Sequence, residues 1–176
     1  MPDVVIFTDE PGWHGARLLE AFLARGVNAG FASLRDCRFD LHRSGRNVVV
    51  PGFEDRLPDG VFVRGIPGGT LEQVVSRLDV LHALKLMHVP VYNDGRAIER
   101  TVDKAMTSFV LANAGIPVPA TWVMESEREA LAVVRAEVAA GRELVLKPLF
   151  GSRGIGLKRI AAATGYNGRP ILCVVG

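Results

Sequence analysis

Leu144-Val145-Leu146-Lys147-Pro148-Leu149-Phe150-Gly151-Ser152-Arg153-Gly154-Ile155-Gly156-Leu157 is the stretch on which the reading of this chain turns. Leu144 to Leu146 is a short apolar run, the pattern of a buried strand. It delivers Lys147, and Pro148 then stops the ladder because it has no N–H to donate. Three glycines follow within six residues, at 151, 154 and 156, and Leu157 to Ile160 restart a strand. Without Cβ atoms, such a loop lets backbone N–H groups come close to an anion. Lys147 and Arg153 add positive charge on either side. The order differs from the helix-opening G-x-x-x-x-G-K-[ST] loop, whose lysine follows its glycines. On these residues alone two readings stand open: a phosphate cradle between two strands, and an ordinary glycine hairpin with a surface lysine.

The charge around this stretch is uneven. After Glu143 there is no Asp or Glu, whereas Lys147, Arg153, Lys158, Arg159 and Arg169 all lie there. Over the whole 176 residues the net charge is only +2, and no Lys/Arg run occurs, which argues against a nucleic-acid partner. The chain is 48% apolar, enough for a packed core in one domain or two small ones. No apolar run approaches the roughly 18 residues of a membrane span, so no membrane partner is expected. Met1-Pro2-Asp3-Val4 lacks the charged and apolar regions of a signal peptide, and the expectation is a cytoplasmic protein. Cys37 and Cys173 share no metal-type spacing with the four histidines, which points to two reduced thiols and no structural zinc.

Upstream, Val4 to Phe7 reads as a strand buried on both faces. A loop, Thr8 to Gly12, leads into a helix with Leu18, Leu19, Phe22 and Leu23 on one face and Gly26 at its end. Val27 to Leu34 is a weaker strand, so the chain opens β-α-β and predicts a parallel sheet. Gly12 and Gly15 make only G-x-x-G, short of a dinucleotide fingerprint. Trp13 and His14 fall just beyond the carboxyl end of the first strand, where open α/β sheets place ligands. A packing role for Trp13 and a plain helix-start role for His14 are equally open.

Residues 36 to 60 are irregular apart from a strand at Asn47 to Val50. Val61 to Arg64 is another strand. It runs into Gly65-Ile66-Pro67-Gly68-Gly69-Thr70, which opens a helix with Thr70 and Gln73 as its capping box. Leu71, Val74, Val75, Leu78, Leu81 and Lys85 then recur at helical spacing. A helix start carries free N–H groups, so Arg64, Gly68 and Gly69 are candidates to hold an anionic substrate group, with a simple strand-to-helix turn as the alternative. Val89 to Tyr92 reads as an edge strand because of Pro90. Asn93-Asp94-Gly95 is a turn, and a domain boundary is placed near residue 95. Thr101 to Ala114 reads as one helix with Ala105, Met106, Phe109, Val110 and Asn113 on one face. Thr121 to Met124 is a strand, and Ser126 to Ala140 a helix capped by Ser126 and Glu129.

Three motifs together resemble the ATP-grasp superfamily: Arg100-Thr101-Val102-Asp103-Lys104, then Leu111-Ala112-Asn113-Ala114-Gly115-Ile116-Pro117-Val118-Pro119, then Leu146-Lys147-Pro148 with the glycine loop. Within it the chain is similar to the RimK-type α-L-glutamate ligases, a branch that Asn93 to Glu99 also fits. Thr8-Asp9-Glu10-Pro11-Gly12-Trp13-His14-Gly15 resembles a subgroup linked with tetrahydromethanopterin-type cofactor synthesis. The resemblance spans roughly residues 1 to 160. It implies an α/β fold: a Rossmann-like pre-ATP-grasp parallel sheet over 1–95, then an α+β ATP-grasp nucleotide-binding subdomain over 96–160. It implies ATP as cofactor, held by Lys104, Lys147, Gly151, Ser152, Arg153, Gly154, Ile155 and Gly156. It also implies a small-molecule carboxylate substrate and glutamate, joined through an acyl phosphate with release of ADP.

Residues 161–176 depart from that family, and are expected to be a divergent or truncated tail. Mg²⁺ takes oxygen ligands, usually carboxylates with substrate phosphates. With no carboxylate after Glu143, its protein ligands are expected to lie outside this chain, and no metal or catalytic residue is assigned. Ile171 to Val175 reads either as one strand of the family's third subdomain or as out-of-frame sequence. The expectation is therefore an incomplete ligase, inactive alone and prone to self-association. A non-catalytic nucleotide-binding module, or half of a split ligase completed by a partner chain, are the alternatives.

Overall fold

The structure, a computed structural model, describes residues 1–42, 47–149, 156–160 and 171–175. It divides into two compact units, Met1–Ile98 and Glu99–Gly176. The first unit contains β1 (Asp3–Phe7), α1 (Gly12–Leu23), β2 (Asn28–Ala32), β3 (Arg38–Phe39), β4 (Val48–Val49), β5 (Gly60–Val63), α2 (Leu71–Leu86) and β6 (Val91–Tyr92). Next comes α3 (Gly95–Val102), which spans the division between the units. The second unit contains α4 (Lys104–Asn113), β7 (Thr121–Met124), α5 (Glu127–Ala139), β8 (Leu144–Pro148), β9 (Lys158–Ile160) and β10 (Ile171–Val175).

In the first unit the sheet order is β2-β1-β5-β6, all parallel, with Phe7 opposite both Ala32 and Val63. Because side chains alternate along a strand, Val5, Phe7, Val61 and Val63 share one face. They pack there with Val80, Leu81 and Leu84 of α2 and with Leu34, Val48 and Val50. Phe62, on the alternate face, meets Phe22 of α1 edge-on and also touches Tyr92. One helix therefore covers each face, the doubly wound arrangement. Phe7, Ile6 and Leu84 are fully buried, each worth about 1.5–3 kcal/mol of transfer free energy.

Local chemistry accounts for most boundaries. Gly26 ends α1 at φ +71°, and the capping box of α2 is formed in both directions between Thr70 and Gln73. β6 lies at the sheet edge, as Pro90 requires. The buried stripe of α2 is Arg77, Val80, Leu81 and Leu84, however, and Leu71 and Val75 from the apolar period are exposed. The buried residues lie beyond the first turn, which is exposed and carries the Thr70–Gln73 capping box. Gly15 is a packing glycine: a Cβ there would lie 2.7 Å from Cβ of Pro11 and 3.0 Å from the Phe31 ring.

The second unit is built on a sheet of order β7-β10-β8-β9 with antiparallel neighbours throughout. α5 packs Val134 onto Leu144 and Ile160, with Trp122, Val138 and Leu146 around them. Ile171–Val175 is the inner strand between β7 and β8, with Leu172 opposite Lys147. It is an integral part of this sheet, not a strand of a further subdomain. The single helix expected over Thr101 to Ala114 is two helices. α3 begins at Gly95, and Asp103 interrupts the run as the N-cap of α4, its Oδ1 accepting from the N–H groups of Ala105 and Met106. No residue of α4 is buried, and Phe109 is 65% exposed.

Candidate functional site

β8 and β9 form a hairpin whose connection is the glycine loop. Gly151, Ser152, Arg153, Gly154 and Ile155 lie outside the described residues. Gly156 is described: its φ is +80°, and a Cβ would come within 2.8 Å of Cγ of Pro148. The far end of the loop thus returns onto the proline that ends β8, leaving no room for a side chain. At the near end, Lys147 stands half-buried on β8, its strand fixed by β9 on one side and β10 on the other. Arg159 and Glu143 form a two-bond ion pair across the hairpin base, at 2.8 and 2.5 Å.

Lys104 enters the same place from α4. Its Nζ donates to the carbonyl oxygen of Leu149 at 3.4 Å, although 45 residues separate them. Burial depresses the Lys104 amine below its ordinary value of 10.5; the nearby charge of Lys147 depresses it further, against the opposing pull of Asp103. Asp103 is committed to the helix N-terminus, where its Oδ1 accepts two N–H groups. The positive charge of Lys147 thus acts on the Lys104 amine. Two cations acting on each other in this way have the chemistry that suits a multiply charged anion, since one phosphate chain would relieve their mutual repulsion.

The first unit carries a second candidate site. β1 sends its chain to α1 on one face of the sheet, and β5 sends its chain to α2 on the other. The two connections leave adjacent strand ends in opposite directions, the topological switch point at which such sheets bind ligands. Arg64 and Gly65 donate their N–H groups to Phe7 O at 3.0 and 3.2 Å, which locks the two strand ends together. Arg35 then bridges the loops: its Nε pairs with Asp9 Oδ2 at 3.0 Å and its Nη2 reaches Gly68 O at 3.4 Å. Ser33 Oγ donates to the other Asp9 oxygen at 2.6 Å.

Of the residues expected here, Arg64, Gly68 and Gly69 lie exposed in the β5–α2 connection. Trp13 and His14 begin α1, with their rings edge-on at 5.1 Å. Trp13 is 67% exposed and carries Arg17 at 5.6 Å from its ring centre, so it packs no core. Among the described residues no hydrogen bond or ring contact joins Trp13 or His14 to Arg64 or the two glycines. Arg35 and Arg77 belong to no motif that the sequence reading singled out, and Asp9 entered only within the Thr8 to Gly15 resemblance, with no site role. For Arg77 a signal existed, because it occupies the buried stripe of α2 at helical spacing from Val80, Leu81 and Leu84. A cavity of about 380 Å³ lies elsewhere, along β2 between Asp3, Asn28, Gly30, Phe53 and Arg56.

Among the described residues no group of three or more His, Cys, Asp or Glu could hold a metal ion, and no helix is long and apolar enough to cross a membrane. No protein-family model matches the chain. It is 37% identical over 160 residues to tetrahydromethanopterin:alpha-L-glutamate ligase of Methanosarcina acetivorans, an alignment covering 89% of this chain and 48% of that protein. The chain therefore spans about half the length of this curated relative. In structure it is similar to a RimK-domain ATP-grasp protein of Sphaerobacter thermophilus (TM-score 0.67, 22% identity, 98% of this chain and 63% of the other). It is also similar to the ATP-grasp ligase PsnB complexed with a minimal precursor, Mg and ADP (TM-score 0.62, 18% identity, 97% and 64%). With a parallel sheet unit and an antiparallel unit bearing Lys147 on a glycine hairpin, the chain has the fold of these ATP-grasp proteins and is similar in sequence to about half of a tetrahydromethanopterin:alpha-L-glutamate ligase.

Proposed function

We propose that this chain is the ATP-binding part of an ATP-dependent carboxylate–amine ligase that adds glutamate to a small-molecule acceptor. The observation that carries the reading is that Lys104 reaches across to the Leu149 carbonyl, just beyond Lys147 on β8, where the Lys147 charge acts on its amine. Lys104, Lys147 and the loop Gly151 to Gly156 would hold the nucleotide. Bound ATP would supply the phosphoryl group that activates a carboxylate as an acyl phosphate for attack by an amine. The chain's own part is positioning and charge neutralisation, which dominate phosphoryl transfer. The Leu149 carbonyl keeps Lys104 aimed at the hairpin, and Pro148 under Gly156 fixes where the loop closes.

The acceptor is assigned to the first unit, with Trp13, His14, Arg64, Gly68 and Gly69 as its contacts. The relative from Methanosarcina supports a pterin-type acceptor, and the PsnB complex supports Mg²⁺ with the nucleotide. No cluster of carboxylates exists among the described residues to hold that ion, and its protein ligands are assigned outside them. The test is calorimetric titration of the chain with ADP. Wild type should bind, and Lys147→Ala should lose about 1.5–3 kcal/mol, the range for hydrogen bonds to charged groups. Equal affinity in wild type, Lys147→Ala and Lys104→Ala would remove the phosphate role from both lysines and the reading with it.

A further inference from the structure

β2 is one edge of the parallel sheet and pairs with β1 alone. The Asn28 N–H donates to Pro2 O, and Ala32 O accepts from the Thr8 N–H. Residues 28, 30 and 32 thus turn their backbone groups toward β1. Along a strand these groups alternate sides, so the N–H and C=O groups of Ala29 and Phe31 face away from the sheet. Among the described residues neither has a backbone hydrogen-bond partner on that side.

An open edge is a template for pairing with another chain, and it is ordinarily guarded by charge, proline or shortness. The opposite edge has such guards, because β6 is two residues long and follows Pro90. β2 has none of them. It is five residues long, and from Val27 to Leu34 there is no charged residue and no proline. Asn28 and Gly30 are exposed, and so is 38% of Phe31. A Cβ built on Gly30 would meet nothing within 4 Å. On that face the edge opens onto the cavity of about 380 Å³ that Phe53 and Arg56 help to line.

We propose that β2 is a self-association surface, pairing antiparallel with β2 of a second copy of this chain about a two-fold axis through Gly30. That register makes the strand complementary to itself. With Gly30 opposite its own copy, Ala29 stands opposite Phe31 of the second copy, and Phe31 opposite Ala29. Each such pair exchanges both N–H···O bonds, because these are the residues whose groups face outward. Each also sets a large side chain beside a small one, on the face where Phe31 already rests against Gly15 of α1. The two glycines meet as a non-hydrogen-bonded pair, the closer kind at about 4.5 Å between Cα atoms. The uncharged edge brings no unpaired charge against its copy, whereas a charged foreign strand would find no counter-charge along it. The two-fold closes on itself, so association stops at the dimer. Two five-residue strands cover less than the roughly 1,200 Å² of a standard interface, so the dimer is reversible and populated near roughly 100 µM chain.

The experiment is sedimentation velocity of the full chain over a concentration series that brackets that value. Wild type should pass reversibly from monomer to dimer. Gly30→Lys and Gly30→Glu should each dimerise at least about ten-fold more weakly, because each sets like charges against one another on the axis. An equimolar mixture of the two variants should recover the dimer, since the opposed charges then pair. Phe109→Lys, which alters the exposed apolar side of α4, should dimerise as wild type does. The proposal is overturned by a wild type that stays monomeric throughout, by association that runs on past the dimer, or by Gly30 variants that dimerise as wild type does. A mixture that recovers nothing, or loss of the dimer in Phe109→Lys, overturns it equally. Should a Gly30 variant fail to fold, Ala29→Pro decides, since an edge strand tolerates proline where the N–H faces solvent. Loss of the dimer in Ala29→Pro supports the proposal and a retained dimer overturns it.

Discussion

Lys104 Nζ donates to the carbonyl oxygen of Leu149, two residues beyond Lys147, at 3.4 Å, and burial together with the Lys147 charge depresses the Lys104 amine. In the unfolded chain the same amine has its ordinary value of 10.5. Between the two values the native state binds fewer protons than the unfolded state, so stability rises with pH across that window and the Lys104 charge opposes folding at neutral pH. A bound phosphate reverses the sign by favouring the ammonium. Lys104→Met should therefore leave Tm unchanged or raised without nucleotide, yet weaken ADP binding. Thermal melts with and without ADP check this. A variant with lower Tm and unaltered ADP affinity would count against the two-lysine receptor.

ADP affinity of the wild type should also fall as pH rises through the depressed Lys104 value, and fall with added salt, because both lysines are only half-buried. Calorimetry across pH in buffers of different ionisation heat would show proton uptake on binding at alkaline pH. Binding without any linked proton would contradict the assigned contact.

Gly156→Ala should cost about 1–3 kcal/mol, the range for a non-glycine residue held at positive φ. The new methyl group also meets Pro148 Cγ at 2.8 Å, so the hairpin end must shift. Denaturant unfolding measures the loss, and ADP titration should weaken with it. Gly52→Ala, where φ is +79° but nothing lies within 4 Å, is the control that separates strain from crowding.

Leu84 is fully buried between α2 and the parallel sheet, whereas Leu86, two residues on, is 80% exposed. Leu84→Ala should destabilise the chain by about 2–5 kcal/mol. Leu86→Ala should stay within roughly 0.5 kcal/mol of wild type. Equal effects in denaturant melts would mean that α2 is rotated from the orientation described.

Burial pushes the Cys37 thiol up to about 12, with the charge of Asp36 adding to it, and its Sγ lies 3.7 Å from Ser33 O. The thiolate is the reactive form. In a Cys173→Ser background, Cys37 should therefore resist iodoacetamide at pH 8 until denaturant unfolds the first unit. Mass spectrometry follows the modification, and rapid labelling of the native chain would contradict the burial.

What the sequence determined by itself was whatever local chemistry controls. The apolar run Val4 to Phe7, the capping box at Thr70 and Gln73, the glycines at 26, 115 and 141, and Pro90 at a sheet edge each act within a few residues. The motif around Lys147 also carried the family resemblance. Tertiary structure decided which face of each helix is buried and which distant groups meet. The helical spacing of α2 included Leu71 and Val75, which are exposed, whereas packing against the sheet buries Arg77, outside that set. Asp103 broke a continuous helical pattern because its side chain satisfies two N–H groups and its backbone is extended. Ile171 to Val175 had no local signal for its partners, since its pairing with β7 and β8 depends on strands distant in sequence. Lys104 and Leu149, and Arg35 and Gly68, likewise meet only once the sheets exist. Side-chain periodicity encodes that a surface is apolar, but which partner covers it is settled by the packing of the whole unit.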